Sequence, residues 1–518
     1  MKKEIKPKTS VLLAAAVFGG VLLAAEKPCA CAMRVEEPPE AAPEFAEPVA
    51  NERKETFVEE VVRQVAASDA AIEADQARLK DRISLTCYRA LVRTSRGKAV
   101  WTDALQKALN EHEIVVIPAS NKPYWIDGSI IVPSNRRIEA KGATVALLAG
   151  RNMLMLRNRN VADGTLAPIA TGRRDLNIAV VGGCWADWRQ SAAGWTGKVR
   201  SGCYDQKCVA RGRFLGVTAL FHFSNCDRVT VRDVTFRSAS SFALQTGDGD
   251  GRLFERIRLE NCFLDGVHLN GNLTRVHVRD VRGRTGDDMV ALNAADWEAC
   301  SVNFGPQRWI LCEDIEQLPK VRGGAPSFRT PGYPAIRIHP AKYRYADGSV
   351  VDCSVRDVVF RRIRGVTTFK MYLQLPFWGD AAAYRRQYGV GTGGNLYFED
   401  VRIDLDYPID TQSCYMKSDP ARGHFGAFEI GSNLESVTLR NIDITFHRDR
   451  FPLSHLVCVG PKVYDPWVSC TVGELTLENV TCRGDKLPDG LVRVTTFDNI
   501  NGDGKSSGRG AVERITRR

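Results

Sequence analysis

The stretch RVTVRDVTF (228–236) sets a pattern that returns as RIRLENCFL (256–264) and RVHVRDVRG (275–283). Each copy alternates apolar and polar residues, breaks at Asp or Asn, and alternates again. Further copies are WILCEDIEQ (309–317), CSVRDVVFR (353–361), LYFEDVRID (396–404), SVTLRNIDI (436–444) and ELTLENVTC (474–482). Alternation of period two buries one face of a strand. The break falls at Asp233, Asn261, Asp280, Asp314, Asp357, Asp400, Asn441 and Asn479, residue types that tolerate left-handed backbone and close their own turns. Short strands at coil-sized intervals predict a parallel β-helix, an all-β solenoid whose stacked coils share one core. A leucine-rich repeat requires a fixed period and recurring Leu, and neither is present. An antiparallel sandwich is the runner-up.

Upstream of the repeats, DALQ (103–106) has the spacing of a capping box, and Ala104, Leu105, Ala108 and Leu109 form an apolar stripe. A short helix here is expected to cover the open first coil. The segments EIVVIP (113–118), YWID (124–127) and SIIVPSNRRIEAKGATV (129–145) follow as strand and turn. Earlier still, Val58, Val65, Ile72 and Leu79 recur every seven residues without an intervening Gly or Pro, which predicts a helix over about 57–83. The other seam positions (Ser68, Asp69, Asp75, Gln76) are polar, so this helix is expected to lie against the body rather than form a strong coiled coil.

The 518 residues are 44% hydrophobic and 25% charged, which excludes wholesale disorder, a collagen-like chain and a polytopic membrane protein. Lys2, Lys3, Lys6 and Lys8 precede an apolar run from Val11 to Ala25, the form of a signal peptide and short for a membrane span. The expected organisation is a signal peptide over 1–32, an acidic Pro-rich linker over 33–56, a helical segment over 57–99, the solenoid over 100–490 and a flexible tail over 491–518. The mature protein is then secreted or periplasmic, with no span left. A lipid anchor at Cys29 or Cys31 is disfavoured by Lys27 and Pro28. The net charge is +10, and residues 61–518 alone carry +13. That balance suits a polyanionic partner, an acidic polysaccharide ahead of nucleic acid or an anionic surface. Fifteen cysteines show no CxxC pair and no zinc-type spacing. Cys203 and Cys208 are close enough to close a small loop.

The chemistry-bearing signal is LDGVHLNG (264–271) followed by TGDDMVALN (285–293). Asp265 lies about one coil before Asp287 and Asp288, and residues one coil apart stack about 4.8 Å apart. Asp287 and Asp288 share a cleft only if the chain bends, which Gly286 permits. Three converging carboxylates repel, so at least one pKa should rise. Glycoside hydrolysis needs such a protonated acid beside an ionised base, roughly 6.5–9.5 Å apart in inverting enzymes. Arg337 and His339, in AIRIHP (335–340), are expected about two coils further on. An arginine there would fork onto a sugar carboxylate or hydroxyls. Trp297, Trp309, Tyr333 and Trp378 flank the acids and offer faces for sugar rings.

DG, then GDD one coil later, then Arg-Ile resembles the family 28 glycoside hydrolases, the polygalacturonase and rhamnogalacturonase group of the pectin-lyase-like superfamily. The match is local to 264–340, with looser agreement over 100–485. The resemblance implies a single-stranded right-handed parallel β-helix and inverting hydrolysis of an acidic, pectin-like polysaccharide, without cofactor or metal. Carried over residue by residue, Asp287 is the acid, Asp265 and Asp288 hold the water, and Arg337 is the subsite arginine. A monomer is expected. The chain departs from the family pattern at Phe263-Leu264 for Asn-Thr, Met289 for Cys and His339 for Lys. The family's Gly-His-Gly histidine is missing between 300 and 320, and His268 and His339 are the candidates to replace it. His424, in GHFGAFEIGS (423–432), is several coils away and reads as structural. Two other readings stay open: a polysaccharide lyase with calcium on the acids, and a non-catalytic glycan-binding solenoid.

Overall fold

A computed structural model describes residues 50–148, 154–161, 173–187, 219–239, 242–262, 264–296, 303–318, 335–366, 368–372, 386–404, 425–446, 453–460, 469–484, 490–497 and 508–518. Within them successive strands pair in parallel, rung upon rung, along three faces of one continuous sheet. On the first face Val229, Arg252, Val276, Ile310, Val358, Leu396, Val437 and Leu475 occupy successive rungs. Two residues along, Val231, Phe254, Val278, Cys312, Phe360, Phe398, Leu439 and Leu477 form an inward column, none more than 2% exposed. The chain is a parallel β-helix, and its alternation is that of strands burying one side against the opposite faces.

All eight Asp/Asn breaks adopt left-handed backbone, with φ between 49° and 57°. They do not form a single column. The register puts Asp233, Asp280, Asp314, Asp400, Asn441 and Asn479 on one turn, with Arg256 and Arg362 on the rungs between, also at positive φ. Asp357 stands on a second turn with Arg228, Arg275 and Trp309, and Asn261 on a third with Ser238. Left-handed backbone costs an ordinary L-residue roughly 1–2 kcal/mol. At the two arginine rungs of the first turn ion pairs offset part of it: Arg256 Nε to Asp233 Oδ1 at 2.6 Å and Arg362 Nε to Asp314 Oδ1 at 2.7 Å.

The entry differs from the sequence-based expectation in two ways. The first coil starts before residue 100, since Arg82–Ser84 already pairs with Ile114–Val116. The helix α2 (Thr102–Glu111) is not closed by a capping box: Trp101 is its N-cap, with no side-chain hydrogen bond. Instead Gln106 serves the open edge. Its amide donates to Ile131 O and accepts from Ile131 N, both at 2.8 Å, replacing the missing rung for one residue of the edge strand Ile130–Val132. Ala104, Leu105, Ala108 and Leu109 seal the core below. At the other end, the described residues of the expected flexible tail include strands. Gly508–Arg517 pairs in parallel with Cys470–Gly484 and in antiparallel with Thr496–Phe497, so the chain covers its own last coil.

The helix α1 (Ala50–Arg78) begins inside the expected linker and ends short of residue 83. It lies along the outside of the first face. Val61 and Val65 pack with Leu311, Val359 and Tyr397, and Trp309 packs here too. Ser68 and Ile72 sit over Gly251, and Gln76 Nε2 donates to Asn177 Oδ1 at 2.5 Å. Across this face α1 therefore runs against the order of the coils. Six of the nine described cysteines are buried, as small apolar residues of the stack. No helix of the described residues is long and apolar enough to cross a membrane. The expected signal peptide, most of the linker, and Cys203 and Cys208 lie outside the described residues.

Candidate active site

The acids meet on the third face, whose rungs include Phe242–Gly247, Val267–Asn270, Val290–Asn293, Ala335–Ile338 and Thr368–Tyr372. Gly266 N donates to Asp288 O at 2.9 Å and Val267 N to Met289 O at 3.0 Å, so Asp265 stacks directly on Asp288. Gly266 is required by a close approach: a Cβ there would stand 2.5 Å from Leu259 Cδ1 and 2.7 Å from Met289 O. Beyond Thr285 the chain bends at Gly286 and Asp287, and Thr285 Oγ1 donates to Asp287 O at 2.8 Å. The bend turns two consecutive acids into one cleft. One oxygen each of Asp265, Asp287 and Asp288 lie within 4.8 Å of one another.

Asp288 is buried, and both its oxygens meet cations: Lys370 Nζ donates to Oδ1 at 2.9 Å and Arg337 Nε stands 3.2 Å from Oδ2. Asp287 is treated differently. Its side chain is 25% exposed, Lys370 Nζ is 3.9 Å from Oδ1, and Oδ1 takes no hydrogen bond among the described residues. Burial of that oxygen, with Asp288 and then Asp265 beside it, outweighs Lys370 and Arg337 and raises the Asp287 pKa to about 8.

His268, 1% exposed, lies between two carboxylates: Nδ1 is 2.6 Å from Asp265 Oδ2 and Nε2 is 3.1 Å from Asp296 Oδ2. Its ring stacks on Phe242, 4.1 Å between centroids. Burial opposes the charge, but the two carboxylates raise His268 to about 9. Burial, against the His268 hydrogen bond, likewise raises Asp265. The two directions concern one proton between the pair, and the second carboxylate, Asp296, places it on His268. His339 is fully buried. Burial, then the Arg337 charge, lowers it to about 3, so it stays neutral.

Asp265, Asp287, Asp288, His268 and Arg337 are thus brought together. Arg337 pairs in register with Ala291, which makes it one coil from the GDD acids rather than two, because that coil spans more residues than the one before it. His339 follows the end of the same strand and feels the Arg337, Asp296, Asp288 and His268 charges. Trp309 belongs under α1, away from the acids. Trp297, Tyr333, Trp378 and His424 lie outside the described residues.

Sequence reasoning misses two residues of the cluster. Lys370 sits one rung beyond Arg337 and supplies a cation where His339 stands in place of the family's lysine. A lysine inside the apolar strand TFKMY (368–372) is the available signal. Asp296 follows the strand Val290–Asn293 and offers no motif. The acids have the spacing of a cation site, yet Lys370 and Arg337 occupy both oxygens of Asp288, so the donor set fits a cation poorly.

Comparison with solved structures finds other β-helix proteins. The family 28 exopolygalacturonase of Yersinia enterocolitica is 11% identical over 84% of this chain and 78% of its own, with a TM-score of 0.46. The hyperthermoactive exopolygalacturonase of Thermotoga maritima is 12% identical over 86% and 98%, with a TM-score of 0.40. A mutant tailspike of E. coli bacteriophage HK620 is 11% identical over 79% and 64%, with a TM-score of 0.43. No protein-family model matches the chain, and no curated relative does.

Proposed function

We propose that this chain is an exported glycoside hydrolase that cuts an acidic, pectin-like polysaccharide by general acid/base catalysis. The observation that carries the reading is the unequal treatment of adjacent acids: two cations meet Asp288, one on each oxygen, while Asp287 has Lys370 no nearer than 3.9 Å and no hydrogen bond on Oδ1. Asp287 gives its proton to the glycosidic oxygen as the bond to the anomeric carbon breaks. Water, held by Asp265 and Asp288, adds to that carbon and loses its proton to one of them. The basic body supports an acidic glycan, and the Lys-rich start with its apolar run supports export.

Inversion is implied by the family resemblance, and the alternative is retention, in which the two carboxyl groups stand roughly 5–5.5 Å apart and one of them is the nucleophile. The anomer of the first product, read by proton NMR, decides. An inverted product is expected, and a retained one would make one of the three acids a nucleophile. The wider test is a panel of plant and marine acidic polysaccharides. Hydrolysis yields reducing ends alone, indifferent to chelator. An ultraviolet-absorbing unsaturated product lost in chelator would replace this reading with a calcium-dependent lyase. Binding without cleavage of any glycan would make the chain an adhesin.

A further inference from the structure

Asp296 is buried, 3% exposed, and has no part in the acid/base scheme above. It is nevertheless firmly placed. Asn293 Nδ2 donates to its Oδ2 at 3.1 Å, and the Tyr388 hydroxyl donates to its backbone oxygen at 2.9 Å. Tyr388 opens the strand Tyr388–Val390 of a three-stranded antiparallel excursion with Ala341–Arg344 and Val350–Cys353. Its ring packs 5.0 Å from Tyr343, which in turn stacks 3.7 Å from Phe304. This aromatic block anchors Asp296 at the Nε2 edge of His268, whose other edge faces Asp265. A neutral imidazole has one N–H and one lone pair. It can serve one of these two carboxylates as donor, and would turn a lone pair towards the other. Only the imidazolium presents an N–H to both, to Asp265 in a hydrogen bond and to Asp296 in an ion pair at 3.1 Å that lacks hydrogen-bond geometry.

We propose that Asp296 is a positioning residue that holds His268 as an imidazolium and, through it, keeps Asp265 ionised and aimed at the water. The inference rests on the reading of Asp265 as a water-holding base. Asp265 is buried beside Asp288 and within 4.8 Å of a third acid, surroundings that favour its protonated form. The imidazolium cancels that tendency, and Asp296 is the counter-charge that makes the imidazolium tolerable. Stacking on Phe242 fixes the ring plane, so the same contact sets the direction of the Asp265 oxygen. The raised pKa of His268 agrees with this arrangement.

The test uses the full chain with Asp296→Asn, His268→Gln and the double variant, each checked for folding by circular dichroism. Asp296→Asn should lower kcat by about 10- to 100-fold with KM little changed, an effect of base strength rather than of binding. With the second carboxylate gone His268 loses its charge, Asp265 binds a proton more readily, and the acidic limb of kcat/KM moves to higher pH. Residues acting as one unit are non-additive, so the double variant should be no slower than the worse single. Additive losses, or an unmoved acidic limb, would overturn the proposal. Nitrogen NMR of the histidine rings supplies a readout independent of turnover. His268 should carry two N–H groups near neutral pH in the parent chain and one in Asp296→Asn, and a neutral ring in the parent refutes the charge assignment. A parent that cleaves nothing would overturn the hydrolase reading and the catalytic half of this inference, while the ring spectrum still decides what Asp296 holds.

Discussion

His268 and His277 lie nine residues apart on the strand Val267–Thr285, and each is clasped between two carboxylates. His268 meets Asp265 and Asp296 at 2.6 and 3.1 Å, and His277 meets Asp69 of α1 and Glu313 at 2.6 and 3.2 Å. The distances nearly match, although His268 Nε2 lacks the hydrogen-bond geometry that His277 Nε2 has to Glu313, and the larger difference lies behind the clasps. Behind Glu313 stand Arg362 at 2.8 Å and Arg361 at 3.3 Å, so the cluster under the helix is compensated. The His277 hydrogen bond, then Arg362, against burial, lowers Glu313 to about 2. Behind Asp265 stand two more acids, one of them without a hydrogen bond on its buried oxygen. One clasp ties a helix to the solenoid. The other is left with an acid it cannot neutralise except by protonation. On the proposed reading, reactivity comes from what is withheld around the motif, not from the motif itself.

The largest expected effect breaks the site and leaves the strap alone. Asp287→Asn removes the transferable proton at constant shape, and turnover should fall by about 10²- to 10⁴-fold with melting behaviour retained. Reducing-end assays on the best substrate read it, and full activity in the variant sinks the acid assignment. The mirror experiment breaks the strap. His277→Ala leaves the half-buried Asp69 and Glu313 without their shared partner, a loss of the kind that costs about 1–3 kcal/mol, with Arg361 and Arg362 still on Glu313. Hydrogen exchange should show α1 amides opening far more often, while turnover per folded molecule stays near that of the parent. Unchanged α1 protection would show that Val61, Val65 and the Asp75–Arg228 pair hold the helix without His277.

Much of this arrangement is legible in the amino-acid sequence alone. Alternation around Asp233, Asp280 and Asp314 marks strands because period two has no other use in a soluble chain, and left-handed Asp and Asn mark the corners for a steric reason. The acids of DG and GDD are legible because they are joined by a short coil without excursions. Lys370, Arg337 and Asp296 are harder for the opposite reason. The coil after Asn293 spans more residues than the one before it, so residue counting puts Arg337 two coils from the acids when the ladder puts it one. Arg256 and Arg362 hide the turn column because arginine is no turn residue, and only an acid on the neighbouring rung lets it stay. The strap is legible as a heptad of Val58, Val65, Ile72 and Leu79. Its register on the solenoid is not, since that depends on Asp69 meeting a histidine more than 200 residues away.

A smaller effect separates the two clasps by pH. Glu313 is lowered from 4.5 to about 2, so its contribution is present above 4.5 and is lost as pH falls towards 2. His277 is raised, against burial, by Asp69 and Glu313, so its contribution is complete below the ordinary value of 6.5 and is lost as pH rises through the higher folded value. The strap should therefore hold best between about 4.5 and 6.5 and loosen on both sides. Asp287, raised from 3.8 to about 8, has the sign of His277: stability drains as pH climbs from 3.8 past 8, and hydrolysis falls with it as the acid ionises. Acid thus loosens the strap without touching Asp287. Followed over one pH series, exchange of α1 amides should rise above 6.5 while the alkaline fall of kcat waits until about 8. An alkaline fall of kcat that tracks α1 exchange from 6.5 would mean that the two clasps are one cooperative unit.

The smallest effect tests the corner that borders the strap face. Asn441 holds φ at 53° and donates through Nδ2 to Asp400 Oδ1 at 2.9 Å, while its own Oδ1 accepts from Asn479 at 2.8 Å. This is an amide ladder running up the turn. Asn441→Ala removes the ladder and keeps a Cβ in left-handed backbone, at a cost of about 1–2 kcal/mol. Asn441→Gly removes the ladder and relieves the strain. If sterics govern the corner, the glycine variant should melt near the parent and the alanine variant several degrees lower. If the ladder governs it, both should fall alike, and the turn would owe its stability to side-chain hydrogen bonds rather than to backbone preference. The same turn carries the arginine at 362, where no amide ladder is possible and an ion pair substitutes. A steric outcome at Asn441 would therefore account for both residues with one rule: whatever occupies the rung must bear positive φ, and its neighbour supplies the compensation.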